Sequence, residues 1–163
     1  MYTIVSLGLF EGYLNFKDVS KNDVTIKQQI YKKKTGKKYD MRGRYEVYKD
    51  LKKINNKVKI PIFPLIYLEK PYHNNNSIFP LSTSSNSKML DCNENGYYTT
   101  YHTDRYGFNN PDELWDRKKI EYLLVGDSFT LSQCVNKPDG IASVLRTLSK
   151  KPVINLASGG NGP

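Results

Sequence analysis

The sequence predicts an α/β protein whose C-terminal part builds a three-layer α/β/α arrangement around a parallel sheet. Two short apolar runs, residues 120–125 and 152–156, have the length and composition of buried strands. An amphipathic helix at residues 139–149 lies between them, so the three elements form a βαβ unit that we expect to be parallel and right-handed. With 163 residues, of which 38% are hydrophobic, the chain has room for one ordinary domain with a modest core.

The chain begins with an apolar segment at residues 1–16. This segment is too short to span a bilayer, and it lacks the basic start and the small-residue cleavage site of a signal peptide. Two interpretations remain open, because a short apolar run cannot be resolved by periodicity alone. The segment is either a buried strand or helix, or the remnant of a membrane anchor whose start is absent.

Residues 17–96 form a basic, loop-rich extension. Apolar residues recur at helical spacing in part of it, and serine and asparagine dominate its second half. We expect four elements here, in chain order: a helix at 24–33 that Gly36 closes, a helix at 45–54, an extended edge or loop segment at 57–67 that contains Pro61 and Pro64, and a mobile loop at 70–96.

The formal net charge of +9 comes from one part of the chain, because residues 17–59 hold 15 Lys/Arg and only 5 Asp/Glu. Lysine accounts for 20 of the 25 basic residues, whereas arginine is the residue preferred for bidentate contacts to bases and phosphates. No helix-turn-helix, RNP or zinc-finger pattern accompanies the charge. We therefore interpret it as a solvated lysine face and expect no nucleic-acid partner; an anionic membrane surface is the better functional alternative.

Residues 97–163 carry the βαβ unit. Charged residues precede its first strand and Gly126 follows it, which bounds a short buried strand. We expect Asp139 to be the N-cap of the helix, because a side-chain oxygen at that position accepts an N–H of the first turn. The apolar face of this helix comprises Ile141, Val144, Leu145 and Leu148.

Glycine-rich segments follow both predicted strands. Gly126-Asp127-Ser128 follows the first, and Gly159-Gly160-Asn161-Gly162 follows the second. The carboxyl ends of neighbouring parallel strands are where open α/β sheets place their sites. A serine beside a glycine that turns the backbone sharply has an exposed hydroxyl. The N–H groups of Ser128 and Gly160 are then candidate donors to a single oxyanion.

These segments resemble two sequence blocks of the SGNH, or GDSL, hydrolases. Residues 126–130 are similar to the first block and residues 153–161 to the second, while residues 103–110 are similar to a lead-in of membrane-anchored bacterial members. The resemblance implies a flavodoxin-like parallel sheet with Ser128 as nucleophile and Gly160 as oxyanion donor. Gly159 is the alternative donor if the register is shifted by one. Asp127 and Asn161 are candidate supporting residues.

The family also needs a third-block Asn and an Asp-x-x-His well downstream of the second block, and neither is found before Pro163. Both histidines, His73 and His102, precede Ser128, and neither is part of an Asp-x-x-His. Without a general base a serine hydroxyl is a weak nucleophile. We therefore expect an N-terminal fragment of an SGNH-like protein, with a sheet that is incomplete at the C-terminus and no activity by itself.

Three functional hypotheses of different class follow. The first is a serine hydrolase or acyltransferase that acts on an acylated small molecule, lipid or carbohydrate, in a membrane-associated or periplasmic protein. The second is a non-catalytic SGNH-like scaffold for binding or anchoring. The third, a basic nucleic-acid binder, is the weakest. We expect no cofactor and no metal, because two cysteines cannot form a four-thiolate zinc site and no dinucleotide or Walker A spacing occurs.

Several residues have plain structural alternatives. Gly126 and Gly160 are also typical of simple strand-to-loop turns. Asp127 is about as suited to capping the segment that follows as to supporting catalysis. Cys92 and Cys134 are either two unrelated thiols or a disulfide, which would tie the loop at 70–96 to the site and indicate an oxidising compartment.

Overall fold

The computed structural model describes residues 19–63 and 80–161 of the chain. The apolar segment predicted at residues 1–16 lies outside these ranges. In the described part no helix is both long enough and apolar enough to cross a membrane. The chain divides into two compact units, residues 1–41 and residues 42–163.

In the first unit, helix α1 (Val19–Thr35) confirms the helix predicted at 24–33 and extends it at both ends. It ends at Gly36, whose φ of +70° is in the left-handed region that glycine adopts at little cost. The N–H of Gly36 donates to the carbonyl of Lys32 at 2.9 Å. Three lysines occupy the last turn, where the helix dipole favours cations.

The second unit begins with helix α2 (Arg44–Ile54), which confirms the helix predicted at 45–54. At its start the carboxylate of Glu46 accepts the N–H of Gly43 at 2.9 Å, which satisfies one free donor of the first turn. Val47 faces inward and forms an apolar cluster with Val58 and Leu90. The helix is thus anchored by one buried side chain on its inner face.

A three-stranded sheet follows, formed by β1 (Val58–Lys59), β2 (Lys88–Leu90) and β3 (Thr100–His102). β2 lies in the centre, parallel to β1 and antiparallel to β3. The edge position of β1 confirms the extended edge predicted for 57–67, as far as that segment is described.

The mobile loop predicted at 70–96 is wrong for the part that contains β2. Met89 and Leu90 have no exposed surface at all, and strands pair with β2 on both sides. The expectation failed because two apolar residues, Met89 and Leu90, between serine-rich and asparagine-rich stretches are too few to show a period. Non-local pairing with β1 and β3 decides their conformation.

The C-terminal part contains a 3₁₀ helix (Asp112–Asp116), β4 (Tyr122–Leu124), α3 (Ser128–Leu131), α4 (Ile141–Ser149) and β5 (Val153–Asn155). β4 and β5 are parallel, with Leu123 opposite Ile154, so the predicted strand–helix–strand order and the parallel pairing are confirmed. The N-cap of α4 is Gly140 and not Asp139 as predicted. The free N–H of Ile141 donates instead to Ser132 Oγ at 2.8 Å, which makes a capping carboxylate unnecessary.

The predicted burial of β4 is wrong. Leu123 of β4 is 58% exposed, whereas its partner Ile154 is 3% exposed. Ile141, Val144 and Leu148 of α4 are exposed as well. The reason is that the described sheet of β4 has only one other strand, and α4 and the Asn110 side chain contact β5.

The chain is therefore a mixed α/β protein, as predicted, with several helices and small sheets. The strands that the structure describes fall into two separate sheets, one of them mixed and one parallel. The parallel pair is the part that positions the predicted site residues.

Candidate active site

The turn after β4 carries the predicted nucleophile. Gly126 is required there because a Cβ at this position would collide with Thr130 Oγ1 and lie 2.9 Å from Thr130 Cβ. The chain then enters α3, whose N-cap is Asp127. The Asp127 carboxylate accepts the N–H of Phe129 at 2.9 Å, so the structure gives this residue the capping alternative.

Ser128 is the first residue of α3 and is half-buried. Its carbonyl accepts the N–H of Gln133 at 3.0 Å, which fixes the backbone of the turn. No residue within 19–63 or 80–161 forms a hydrogen bond with its hydroxyl or its own N–H. Both groups that the predicted chemistry needs are thus uncommitted within the described part of the chain.

The turn after β5 carries the predicted oxyanion donors. Gly160 is exposed and has a φ of +85°, so the turn requires the left-handed region at this position. Gly159 is buried, and a Cβ there would lie 2.5 Å from the ring of Phe63. The N–H of Asn161 donates to the carbonyl of Ser158 at 3.3 Å, which closes the turn.

The two turns lie side by side. The N–H of Leu156 donates to the carbonyl of Leu124 at 2.8 Å, and the N–H of Ser158 donates to the carbonyl of Gly126 at 3.2 Å. The second bond joins the residue two positions before Ser128 to the residue two positions before Gly160. The structure thus brings the two predicted segments together at one edge of the parallel pair.

Ser128 opens onto a cleft with a volume of about 390 Å³. Neither Gly160 nor Asn161 is among the described residues that line it. Its walls comprise Glu94, Ser128, Phe129, Ser132, Gln133, Cys134, Val135, Asp139 and Ile141. The lining is mixed, with polar side chains that include two carboxylates, and it contains no basic side chain from the described residues.

The wall of this cleft is fixed by a disulfide. Cys92 and Cys134 are bonded, with Cα atoms 5.2 Å apart, so of the two alternatives left open by the sequence the disulfide is the one formed. The N–H of Cys134 donates to the buried carboxylate of Asp91 at 2.8 Å. Burial raises the pKa of Asp91 above its ordinary value, and the bond from Cys134 partly offsets this rise.

No described histidine is placed to act as a general base for Ser128. His102 lies on β3 with an exposed side chain, and among residues 19–63 and 80–161 it forms no hydrogen bond with Ser128. His73 lies outside the described residues. The same ranges contain no cluster of His, Cys, Asp or Glu that would hold a metal ion.

The sequence reasoning missed a buried polar network beside the site. Asp104 is fully buried and accepts four hydrogen bonds of 2.9 Å, from Tyr106 N–H, Phe108 N–H, Asn110 Nδ2 and Trp115 Nε1. Asn110 continues the network to Asn155 of β5. The sequence feature that could have indicated this network is Asn155, a polar residue at the end of a buried strand, where an apolar residue is usual.

The fold and this site together define a mixed α/β protein with a serine at the carboxyl edge of a parallel strand pair. No family model matches the chain, and neither a curated protein nor a solved structure does.

Proposed function

We propose that the chain carries the nucleophile and oxyanion part of an SGNH-type serine hydrolase or acyltransferase that acts on ester-linked acyl groups. The observation that carries this proposal is the hydrogen bond from Ser158 N–H to the Gly126 carbonyl. It joins the turn of Ser128 to the turn of Gly160 at the carboxyl edge of β4 and β5, where α/β proteins place their sites.

The proposed chemistry is acyl transfer. Ser128 Oγ attacks the ester carbonyl, a C–O bond forms, and the π electrons move to the carbonyl oxygen. The N–H groups of Ser128 and Gly160 stabilise this oxyanion, an effect usually worth a few kcal/mol per donor. The general base takes the proton of the Ser128 hydroxyl. Collapse breaks the ester C–O bond, and the leaving oxygen takes that proton from the base and departs as the alcohol. Water or a second hydroxyl then accepts the acyl group from Ser128, and its proton passes through the base to Ser128 Oγ.

The general base must come from outside the described residues, because no histidine within them contacts Ser128. In the SGNH family an Asp-x-x-His segment supplies it. The three-layer arrangement would add helices over the faces of the parallel pair. The side chains of β4 are exposed here, although parallel strands are usually covered on both faces. This exposure supports the three-layer arrangement as part of the proposal.

The disulfide bears on the compartment. Structural disulfides persist in oxidising environments and are rare in the cytosol. The bond between Cys92 and Cys134 therefore supports a periplasmic or other extracytoplasmic location, with membrane association through the N-terminal segment as part of the same proposal.

A non-catalytic SGNH-like binding domain is the second candidate. It is favoured by the Ser128 hydroxyl, which has no hydrogen-bond partner in the described ranges. A catalytic serine is activated by an adjacent base, and a binding domain needs none.

The test compares the 163-residue chain with the polypeptide that its native reading frame encodes. Each is incubated with p-nitrophenyl acetate and with a fluorophosphonate, and the labelled mass is measured. We expect the 163-residue chain to turn over no faster than its Ser128→Ala variant. A polypeptide that includes an Asn block and an Asp-x-x-His should turn over and label at Ser128.

Ser143→Ala is the matched control, because Ser143 is a serine of α4 that does not line the cleft. It should retain labelling, whereas Ser128→Ala should lose it. Turnover by the 163-residue chain that survives Ser128→Ala would contradict the proposal. A native polypeptide without Asp-x-x-His and without labelling would support the binding domain.

A further inference from the structure

Asn155 is the last residue of β5, and its side chain joins the two turns of the candidate site. The residue is 2% exposed. Its Nδ2 donates to the carbonyl of Thr130 in α3 at 2.8 Å, and its Oδ1 accepts the N–H of Ala157 at 2.9 Å. One amide thus contacts both the helix that begins at Ser128 and the turn that leads to Gly160.

The backbone of Asn155 is held by a second amide, that of Asn110. Asn110 Nδ2 donates to the Asn155 carbonyl at 3.0 Å, and Asn110 Oδ1 accepts the Asn155 N–H at 2.8 Å. A neighbouring strand would form the same pair of bonds. The Asn110 side chain therefore substitutes for a strand on the edge of β5 that faces away from β4.

The orientation of the Asn110 amide is fixed by charged groups. Its Nδ2 also donates to the buried carboxylate of Asp104 at 2.9 Å, and its Oδ1 also accepts from the guanidinium of Arg146 at 2.7 Å. An acceptor on one side and a donor on the other exclude the flipped amide. Arg146 donates to the Val153 carbonyl as well, at 2.9 Å, so α4 is tied to the same strand.

We propose that Asn155 is a positioning residue, which sets the Ser128 turn against the Gly160 turn and is itself oriented by Asn110. The inference rests on the proposed function as far as it concerns catalysis. The structural part of the proposal, that Asn155 links the two turns, does not depend on that function. The bond to Ala157 is buried and the bond to Thr130 is partly buried, so water replaces them poorly when they are lost.

The experiment compares Asn155→Ala, Asn155→Asp and the surface control Asn56→Asp. The alanine variant loses both side-chain bonds. The aspartate variant keeps an acceptor for the Ala157 N–H but, when ionised, has no donor for the Thr130 carbonyl. Amide hydrogen exchange is measured by NMR at Ala157 and at Asp91, whose N–H donates to Thr99 in the other sheet.

We expect exchange at Ala157 to be about tenfold faster in Asn155→Ala and near that of the wild type in Asn155→Asp. Exchange at the Asp91 N–H should change less than about twofold in each of the two Asn155 variants. Equal acceleration at Ala157 and Asp91 would show a general loss of stability and would overturn the proposal, as would unchanged exchange at Ala157 in Asn155→Ala.

The catalytic arm measures the rate of Ser128 phosphonylation by the fluorophosphonate, on the polypeptide that labels in the wild type. Both Asn155 variants should label about tenfold more slowly, because both lose the bond to α3, and Asn56→Asp should label normally. Normal labelling in both Asn155 variants would overturn the catalytic part. If the wild type never labels, the proposed function fails, and the exchange pattern still decides the positioning role.

Discussion

The two glycines of the β5 turn are adjacent, but the structure requires them for different reasons. At Gly159 a side chain has no space, because a Cβ would lie 2.5 Å from the ring of Phe63. At Gly160 space is available at an exposed position, but φ is +85°. A steric conflict with the half-buried ring of Phe63 is costlier than the left-handed region.

We therefore predict that Gly159→Ala lowers the free energy of unfolding by about 2–3 kcal/mol and Gly160→Ala by about 1 kcal/mol. Urea denaturation of both variants measures the difference. Equal losses would show that Phe63 moves aside. Proline is a poor probe of the Gly160 N–H, because its fixed φ near −65° is incompatible with this turn.

The carboxyl of Asp91, which accepts a hydrogen bond from the N–H of Cys134, makes the stability of the folded chain depend on pH. Burial raises the pKa of this carboxyl, so between the unfolded and the folded pKa the folded chain binds more protons than the unfolded chain. The contribution of Asp91 to stability is therefore fully present below its unfolded pKa and is lost as the pH rises through its folded pKa.

We predict that the unfolding free energy of the wild type, relative to that of Asp91→Asn, falls as the pH rises above the ordinary range of an aspartate. Urea titrations from acid to neutral pH measure this difference. A difference that stays flat over this pH range would contradict the effect of burial.

At the scale of elements, the parallel pair is asymmetric. β5 is buried along its whole length, whereas β4 exposes two of its three side chains. Leu123 and Ile154 are opposite each other in the register, but Leu123 is 58% exposed and Ile154 only 3%. Apolar surface that stays in water in the folded state contributes little to stability.

Alanine substitutions at Leu123 and Ile154 test this difference in burial between β4 and β5. Ile154→Ala should cost about 3 kcal/mol, because it leaves a cavity in the packed interior. Leu123→Ala should cost less than about 1 kcal/mol. Thermal or urea unfolding of the two variants gives the comparison. A cost for Leu123→Ala as large as that for Ile154→Ala would show that β4 is covered in solution.

At the scale of the whole molecule, the disulfide joins the two sheets of the unit at residues 42–163. Cys92 follows β2, and Cys134 follows α3. The bond closes a loop with a sequence separation of 42. In the chain-entropy model, a closed loop of that length stabilises the folded state by about 4 kcal/mol, because it restricts the unfolded chain.

Reduction should therefore lower the unfolding free energy by about 3–4 kcal/mol. Urea denaturation with and without a phosphine reductant measures this loss, and the Cys92→Ala/Cys134→Ala double variant should reproduce it without reductant. The double variant should also be insensitive to the phosphine. Equal stability of the reduced and oxidised wild type would contradict the stabilising role of the bond.

Much of the local structure follows from the sequence. Helices α1 and α2, the order strand–helix–strand and the parallel pairing of β4 with β5 were predicted, because apolar periodicity and short connections are local properties. The turns at Gly126 and Gly160 were predicted for the same reason. The nucleophile role of Ser128 stays a prediction.

Tertiary structure alone decided which apolar surfaces are buried and which polar groups meet. Composition does not reveal that β2 lies in the centre of a sheet, since its three residues are stabilised by partners distant in the chain. Nor does it reveal that Asn110 pairs with Asn155 across 45 positions, that Asp91 accepts the Cys134 N–H, or that β4 remains exposed. Hydrogen bonds and burial depend on distance in space, and that distance is settled only when all elements have packed.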